Sequence, residues 1–109
     1  MPLGLSQALN RVRGWFSIEI KSADFTASSG RRYQVDTSVT AVTATLPAAP
    51  VVGDEIIFED AKASFNTRNL TLNRNSLKIN GATSNYVSST NNAKLSVVYI
   101  SSAYGWSVK

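Results

Sequence analysis

There is no cysteine and no histidine anywhere in the chain. The first absence removes disulfides, thiol nucleophiles and thiolate metal sites together. The second removes Ser-His-Asp and Cys-His catalytic arrangements and imidazole metal ligands. No apolar run approaches the ~20 residues of a membrane-spanning helix, because Ser, Thr or a charge interrupts every few positions. The glycines are isolated in turns, so no phosphate-cradling loop exists. Acidic residues are missing from the whole chain beyond Asp60, whereas Lys62, Arg68, Arg74, Lys78, Lys94 and Lys109 follow. The start, MPLGLSQALNRVRGW, has its basic residues after its apolar ones and no small-residue cleavage site, unlike a secretory signal.

Paired carboxylates are the one catalytic arrangement these absences leave, as in glycoside hydrolysis. Asp24, Asp36, Asp54, Glu55, Glu59 and Asp60 are the candidates. Asp24, Asp36 and Asp54 sit at turns, where a carboxylate accepts from nearby backbone N–H groups, so a structural role is favoured. Oxygen ligands at Asp54, Glu55 or Asp60 suit calcium, but no EF-hand-like spacing accompanies them. No catalytic residue, cofactor or metal is therefore expected. The net charge of +4 is modest, and Tyr86, Tyr99, Tyr104 and Trp106 are not interleaved with the basic residues, as single-strand nucleic-acid binding requires. Neither nucleic acid nor membrane is expected as a partner. A basic face towards an acidic surface is the functional reading of the charge asymmetry, and scattered solubilising charge the plainer one.

What is present reads as strands. At 109 residues the chain is one domain with a thin core, which makes help from a partner or from self-association plausible. The only helix candidate lies in the first thirteen residues, where Leu5, Ala8, Leu9 and Val12 form one stripe, Arg11 and Arg13 lie off it, and Gly14 stops it. A helix of that length is marginal alone in water and must dock on something. It either covers its own domain or acts as an attachment arm, residues 1–14, built on Leu3, Leu5, Leu9, Val12, Arg11 and Arg13. Residues 15–109 are expected to form the folded domain.

From Trp15 onward the period is two, with Phe16, Ile18 and Ile20 opposite Ser17, Glu19 and Lys21. Arg31 to Asp36 and Val42 to Leu46 alternate in the same way, and Pro47 ends the latter. The run Ile56, Ile57, Phe58, bounded by acids, reads as a strand buried on both faces or as a subunit contact. Phe65 is expected to plug the core under a loop. Asn69 to Asn73 and Leu77 to Ile79 alternate before Asn80-Gly81, a strong hairpin signal, giving a tight meander. Leu95 to Ile100 has the composition of a central strand, and Trp106 to Val108 closes the chain with Trp106 buried on one side. About eight or nine short strands at this spacing predict an all-β domain, a compact antiparallel β-sandwich or barrel.

The ordered set Leu46 to Pro50, Gly53-Asp54, Ile56 to Asp60, Asn69 to Leu72, Ile79 to Gly81 and Tyr104 to Trp106, quoted as TLPAAPVVGD through YGW, resembles a recurrent module of bacteriophage tail fibres and other virion appendages. The resemblance covers about Asp24 to Val108. It implies a structural virion protein, found as a trimer and bound to other virion proteins of capsid or tail. Because this chain stops directly after the module, a short accessory piece is expected: a capsid decoration or cement protein, a head fibre, or a tail-fibre adaptor. The alternative is a carbohydrate- or receptor-binding tail fibre module, in which Tyr86, Tyr104 and Trp106 stack on a host surface glycan. A glycosidase comes last.

Overall fold

The computed structural model describes residues 17–109. Nine strands are found among the described residues: β1 (Ser17–Lys21), β2 (Phe25–Thr26), β3 (Arg31–Val35), β4 (Val42–Thr45), β5 (Glu55–Asp60), β6 (Leu70–Asn73), β7 (Tyr86–Ser88), β8 (Lys94–Ser101) and β9 (Gly105–Val108). They form a five-stranded sheet in the order β1-β3-β5-β8-β9 and a four-stranded sheet in the order β2-β4-β6-β7. The fold is all-β, as the alternating pattern predicts.

The pairing departs from the antiparallel expectation. The first six strands alternate between the sheets, so that β1, β3 and β5 stack parallel in one and β2, β4 and β6 stack parallel in the other. The chain thus winds through three flattened coils. Only afterwards does it turn back on itself, with β7 antiparallel to β6, β8 to β5 and β9 to β8. Side chains alternate identically in parallel and antiparallel strands, so periodicity cannot separate the two. What decides is the connector. The Pro47 to Pro50 stretch is stiff and carries the chain from one sheet to the other, where a hairpin turn would have reversed it within a sheet.

Each coil extends its neighbour's ladder beyond the strands proper. Ala27 N–H donates to Thr45 O at 2.8 Å, Leu46 N–H to Asn73 O at 2.9 Å, Gly30 N–H to Glu55 O at 2.8 Å and Ala61 N–H to Val35 O at 2.9 Å. The core lies between the sheets. Tyr33, Val35, Ile56, Phe58, Leu95 and Val97 of one sheet meet Val42, Ala44, Leu70 and Leu72 of the other, with Leu46 and Phe65 filling from the connections. Phe25, Tyr33 and Phe58 form an aromatic chain that runs from the half-buried Phe25 into the core, with Tyr33 and Phe58 stacked at 5.6 Å. Burial of this kind is the dominant stabilising term, each large side chain contributing about 1.5–3 kcal/mol.

The Asn80-Gly81 signal produces a tight turn with both residues at positive φ, but only one rung follows. Ile79 and Ala82 exchange hydrogen bonds at 3.0 and 2.9 Å as an isolated bridge. The expected strand at Leu77 to Ile79 is absent because Ile79 is drawn instead into a parallel bridge with Trp106.

Candidate assembly site

Among the described residues β1 is an edge strand, bonded only to β3. Its register places Ile18 beside Arg32 and Ile20 beside Gln34, and β5 continues these rows with Ile57 and Glu59. These side chains all lie on the outer face of the five-stranded sheet, opposite Tyr33 and Phe58. Ile18 is therefore 62% exposed and Ile20 75% exposed. The strand is apolar on its outward side and polar on its inward side, the reverse of β3, β5 and β8. Glu19, on the inward side, accepts from Arg31 Nη1 at 2.7 Å and lies 3.4 Å from Lys21 Nζ. Lys21 Nζ in turn sits 5.4 Å over the Phe25 ring. At this edge the inward positions therefore carry charge and the isoleucines face solvent.

Further along the same outer face the polar groups satisfy one another. Arg32 grips Glu59 through Nε at 2.9 Å and Nη2 at 2.8 Å, and Gln34 donates to the same carboxylate. Lys94 Nζ lies 4.0 Å away. The Arg32 guanidinium holds the Glu59 carboxyl below the usual range against the opposing effect of burial, with Lys94 adding to it. Ser96 Oγ donates to Glu55 at 2.5 Å. The most exposed apolar side chains of this face are Ile18 and Ile20 of β1, with Ile100 of β8 exposed to a lesser degree.

The run Ile56, Ile57, Phe58 does not form one subunit contact. Ile56 and Phe58 point inward and are fully buried in the chain's own core, and Ile57 alone lies half-buried on the outer face. A strand in a two-layer fold faces the core on one side only, so three consecutive apolar residues are divided between the faces. The arm residues Leu3, Leu5, Leu9, Val12, Arg11 and Arg13 lie outside the described residues. The three rings proposed to stack on sugars are not equivalent. Trp106 is fully buried and meets Tyr99 edge-on at 5.4 Å, which removes it from any sugar-facing surface. Tyr86 is half-buried against the core, and Tyr104 is 41% exposed.

The carboxylates are engaged in holding the backbone. Asp24 accepts from Thr43 N–H at 2.8 Å and Asp54 from Val51 N–H at 3.0 Å. Asp36 accepts from Ser38 Oγ at 2.6 Å and Ser38 N–H at 2.9 Å, which together hold it below the usual carboxylate range. Asp60 is the hub of the loop after β5, accepting from the N–H groups of Lys62, Ser64, Phe65 and Asn92 at 3.0–3.2 Å. Burial works to raise its pKa, but these donors together outweigh it, and the carboxyl titrates below the usual range. Among the described residues no group of three or more acidic side chains is placed to hold a metal ion.

Sequence reasoning found Ile18 and Ile20 as the apolar side of a strand and missed that this side faces outward. Alternation defines two faces without saying which meets the core. The nearest signal was the pair of charges, Glu19 and Lys21, framing Ile20. Comparison with protein families gives one finding: the family described as "Bacteriophage T4 gp9/10-like protein, N-terminal" matches residues 11–109. No curated protein matches the chain.

Proposed function

Because the chain belongs to the bacteriophage T4 gp9/10-like family, whose members are structural phage proteins of the virion, we propose that it is a small exterior component that associates with copies of itself, as a trimer. Its N-terminal segment, 1–14, attaches it to another virion protein of capsid or tail, so that it serves as a decoration protein, head fibre or tail-fibre adaptor.

The observation that carries this reading is the open first coil. Among the described residues β1 and β2 each have a partner on one side only, and Ile18 and Ile20 of β1 are exposed. Edges of this kind are ordinarily blunted, covered or used. The engaged carboxylates further support a structural role over a hydrolytic one. Loss of Trp106 to the core leaves the glycan-binding alternative with Tyr104 and the half-buried Tyr86.

Light scattering on the chain with and without Met1 to Arg13 tests the proposal. The full chain is expected at three times the monomer mass and, without its arm, is expected to lose binding to virion particles that lack it. A monomer at every concentration sinks the proposal.

A further inference from the structure

We infer that the Asn80-Gly81 turn is a site of covalent modification, a deamidation that the last strand holds off. While the turn is bonded to β9 the pair is inert, and when the two part it converts irreversibly.

Of the asparagines in the chain, Asn80 alone precedes a glycine. That pairing is the most reactive one open to an asparagine, because no Cβ on the following residue hinders attack by its amide nitrogen. The Gly81 nitrogen bonds to Asn80 Cγ, the Cγ–Nδ2 bond breaks, and the side-chain amide leaves as ammonia, taking the proton that Gly81 N gives up. Water then opens the resulting cyclic imide at either carbonyl, leaving aspartate or isoaspartate at position 80. No oxidant or enzyme is needed. Both residues are exposed, so burial does not keep water or hydroxide from them.

What stops the reaction is hydrogen bonding to the last strand. Gly81 N–H, the nucleophile, donates to Tyr104 O at 2.8 Å, and Asn80 N–H donates to Trp106 O at 2.7 Å. The carboxamide under attack is held elsewhere, because Asn80 Oδ1 accepts from Val108 N–H at 2.9 Å. Tyr104 and Val108 lie at opposite ends of β9, so the reacting groups are drawn apart along one strand. The turn itself, with φ of +51 at Asn80 and +77 at Gly81, is closed by the paired bonds of Ile79 and Ala82. Attack requires these ties to open together, a local unfolding of an exposed turn. The isoaspartate product routes the backbone through Cβ and lengthens a two-residue turn by one carbon. The bonds to Tyr104, Trp106 and Val108 then cannot all reform in their present register, and a copy that has opened is permanently marked.

The test incubates the full chain, folded and in urea, at mildly alkaline pH, with peptide mass spectrometry and an isoaspartate methyltransferase assay reading position 80. Conversion in the folded chain is expected to be slower than in urea by at least about tenfold. Amide hydrogen exchange on the same folded chain is expected to show Gly81 N–H protected. Val108→Pro removes the donor to Asn80 Oδ1, an N–H that faces away from β8 at an edge position where proline is tolerated. It is expected to speed conversion about fivefold, the shift in opening that one lost hydrogen bond produces. Conversion as fast folded as in urea, no conversion in urea, or a Gly81 amide exchanging at the free-peptide rate overturns the inference. So does a folded Val108→Pro chain that converts no faster than the parent. The urea and exchange readings need no variant, so they decide the matter if Val108→Pro fails to fold.

Discussion

Replacing Gly105 by alanine is the sharpest test of the way the last strand locks the fold. Gly105 opens β9 at φ +80, and a Cβ built on it would lie 1.9 Å from Lys78 O, 2.4 Å from Lys78 C and 2.8 Å from Lys78 Cα. All three obstructing atoms are backbone, so no side-chain rotation relieves the contact. The left-handed conformation costs a non-glycine residue about 1–2 kcal/mol. Relieving the clash must also push Lys78 away from Trp106, whose N–H donates to Lys78 O at 2.9 Å; a lost hydrogen bond of this kind costs about 1 kcal/mol. Shifting the fully buried Trp106 side chain adds a repacking cost of about 1–3 kcal/mol. The sum is roughly 3–6 kcal/mol, which for a domain of this size lowers Tm by about 12 °C at the least. Gly30→Ala supplies the comparison. Gly30 has nearly the same φ, +78, with nothing within 4 Å of the added Cβ, so it pays the conformational term alone, about 1–2 kcal/mol. Thermal unfolding of both variants at one chain concentration, which holds any association fixed, reads the difference. Equal Tm losses would refute the assignment of Gly105 as a point of backbone contact.

Asp60→Asn is expected to cost about 2 kcal/mol near neutral pH, since a charged acceptor of four backbone donors is replaced by a neutral one. Because the folded-state pKa of Asp60 is depressed, its contribution is present above the unfolded value and fades as pH falls below about 4; urea titrations from pH 7 to pH 2 should show a shallower acid limb in the variant, and identical limbs would count against the hub. Ile56→Ala is expected to cost about 2–5 kcal/mol by leaving a cavity, and Ile57→Ala less than half as much. Similar losses in denaturant unfolding would contradict their assignment to opposite faces. Calorimetric titration with host-surface polysaccharide is expected to give no saturable heat, and a saturable signal abolished by Tyr104→Ala would revive the glycan-binding reading.

Much of the local structure was legible in the residues. Tyr33 and Val35, Val42 with Ala44 and Leu46, and Trp106 all face the core as their alternation indicates, and β4 stops where Pro47 requires. Phe65 fills the core from its loop. The topology was not legible, because stacked partners are separated by unequal lengths of chain: Ser17 lies beside Arg31, and Arg32 beside Ile57. Coils of unequal length leave no repeat in the sequence. The division of Ile56, Ile57 and Phe58 between two faces follows once the strand is known to have a single buried side. The outward aim of Ile18 and Ile20 is set by the register of β1 on β3, which puts Glu19 and Lys21 beside the inward Tyr33 and Val35, a tertiary fact that alternation alone does not give.

The parallel stacking of β1 on β3 also bears on how the domain transmits load. If the N-terminal segment is the tether, a pull on it along the strand direction drags β1 lengthwise past β3. The backbone bonds that join the register from Ser17–Arg31 to Lys21–Val35 are then strained together in shear. A hairpin pulled at its open end fails one rung after another. An attachment that enters through a parallel strand shares the force across every rung.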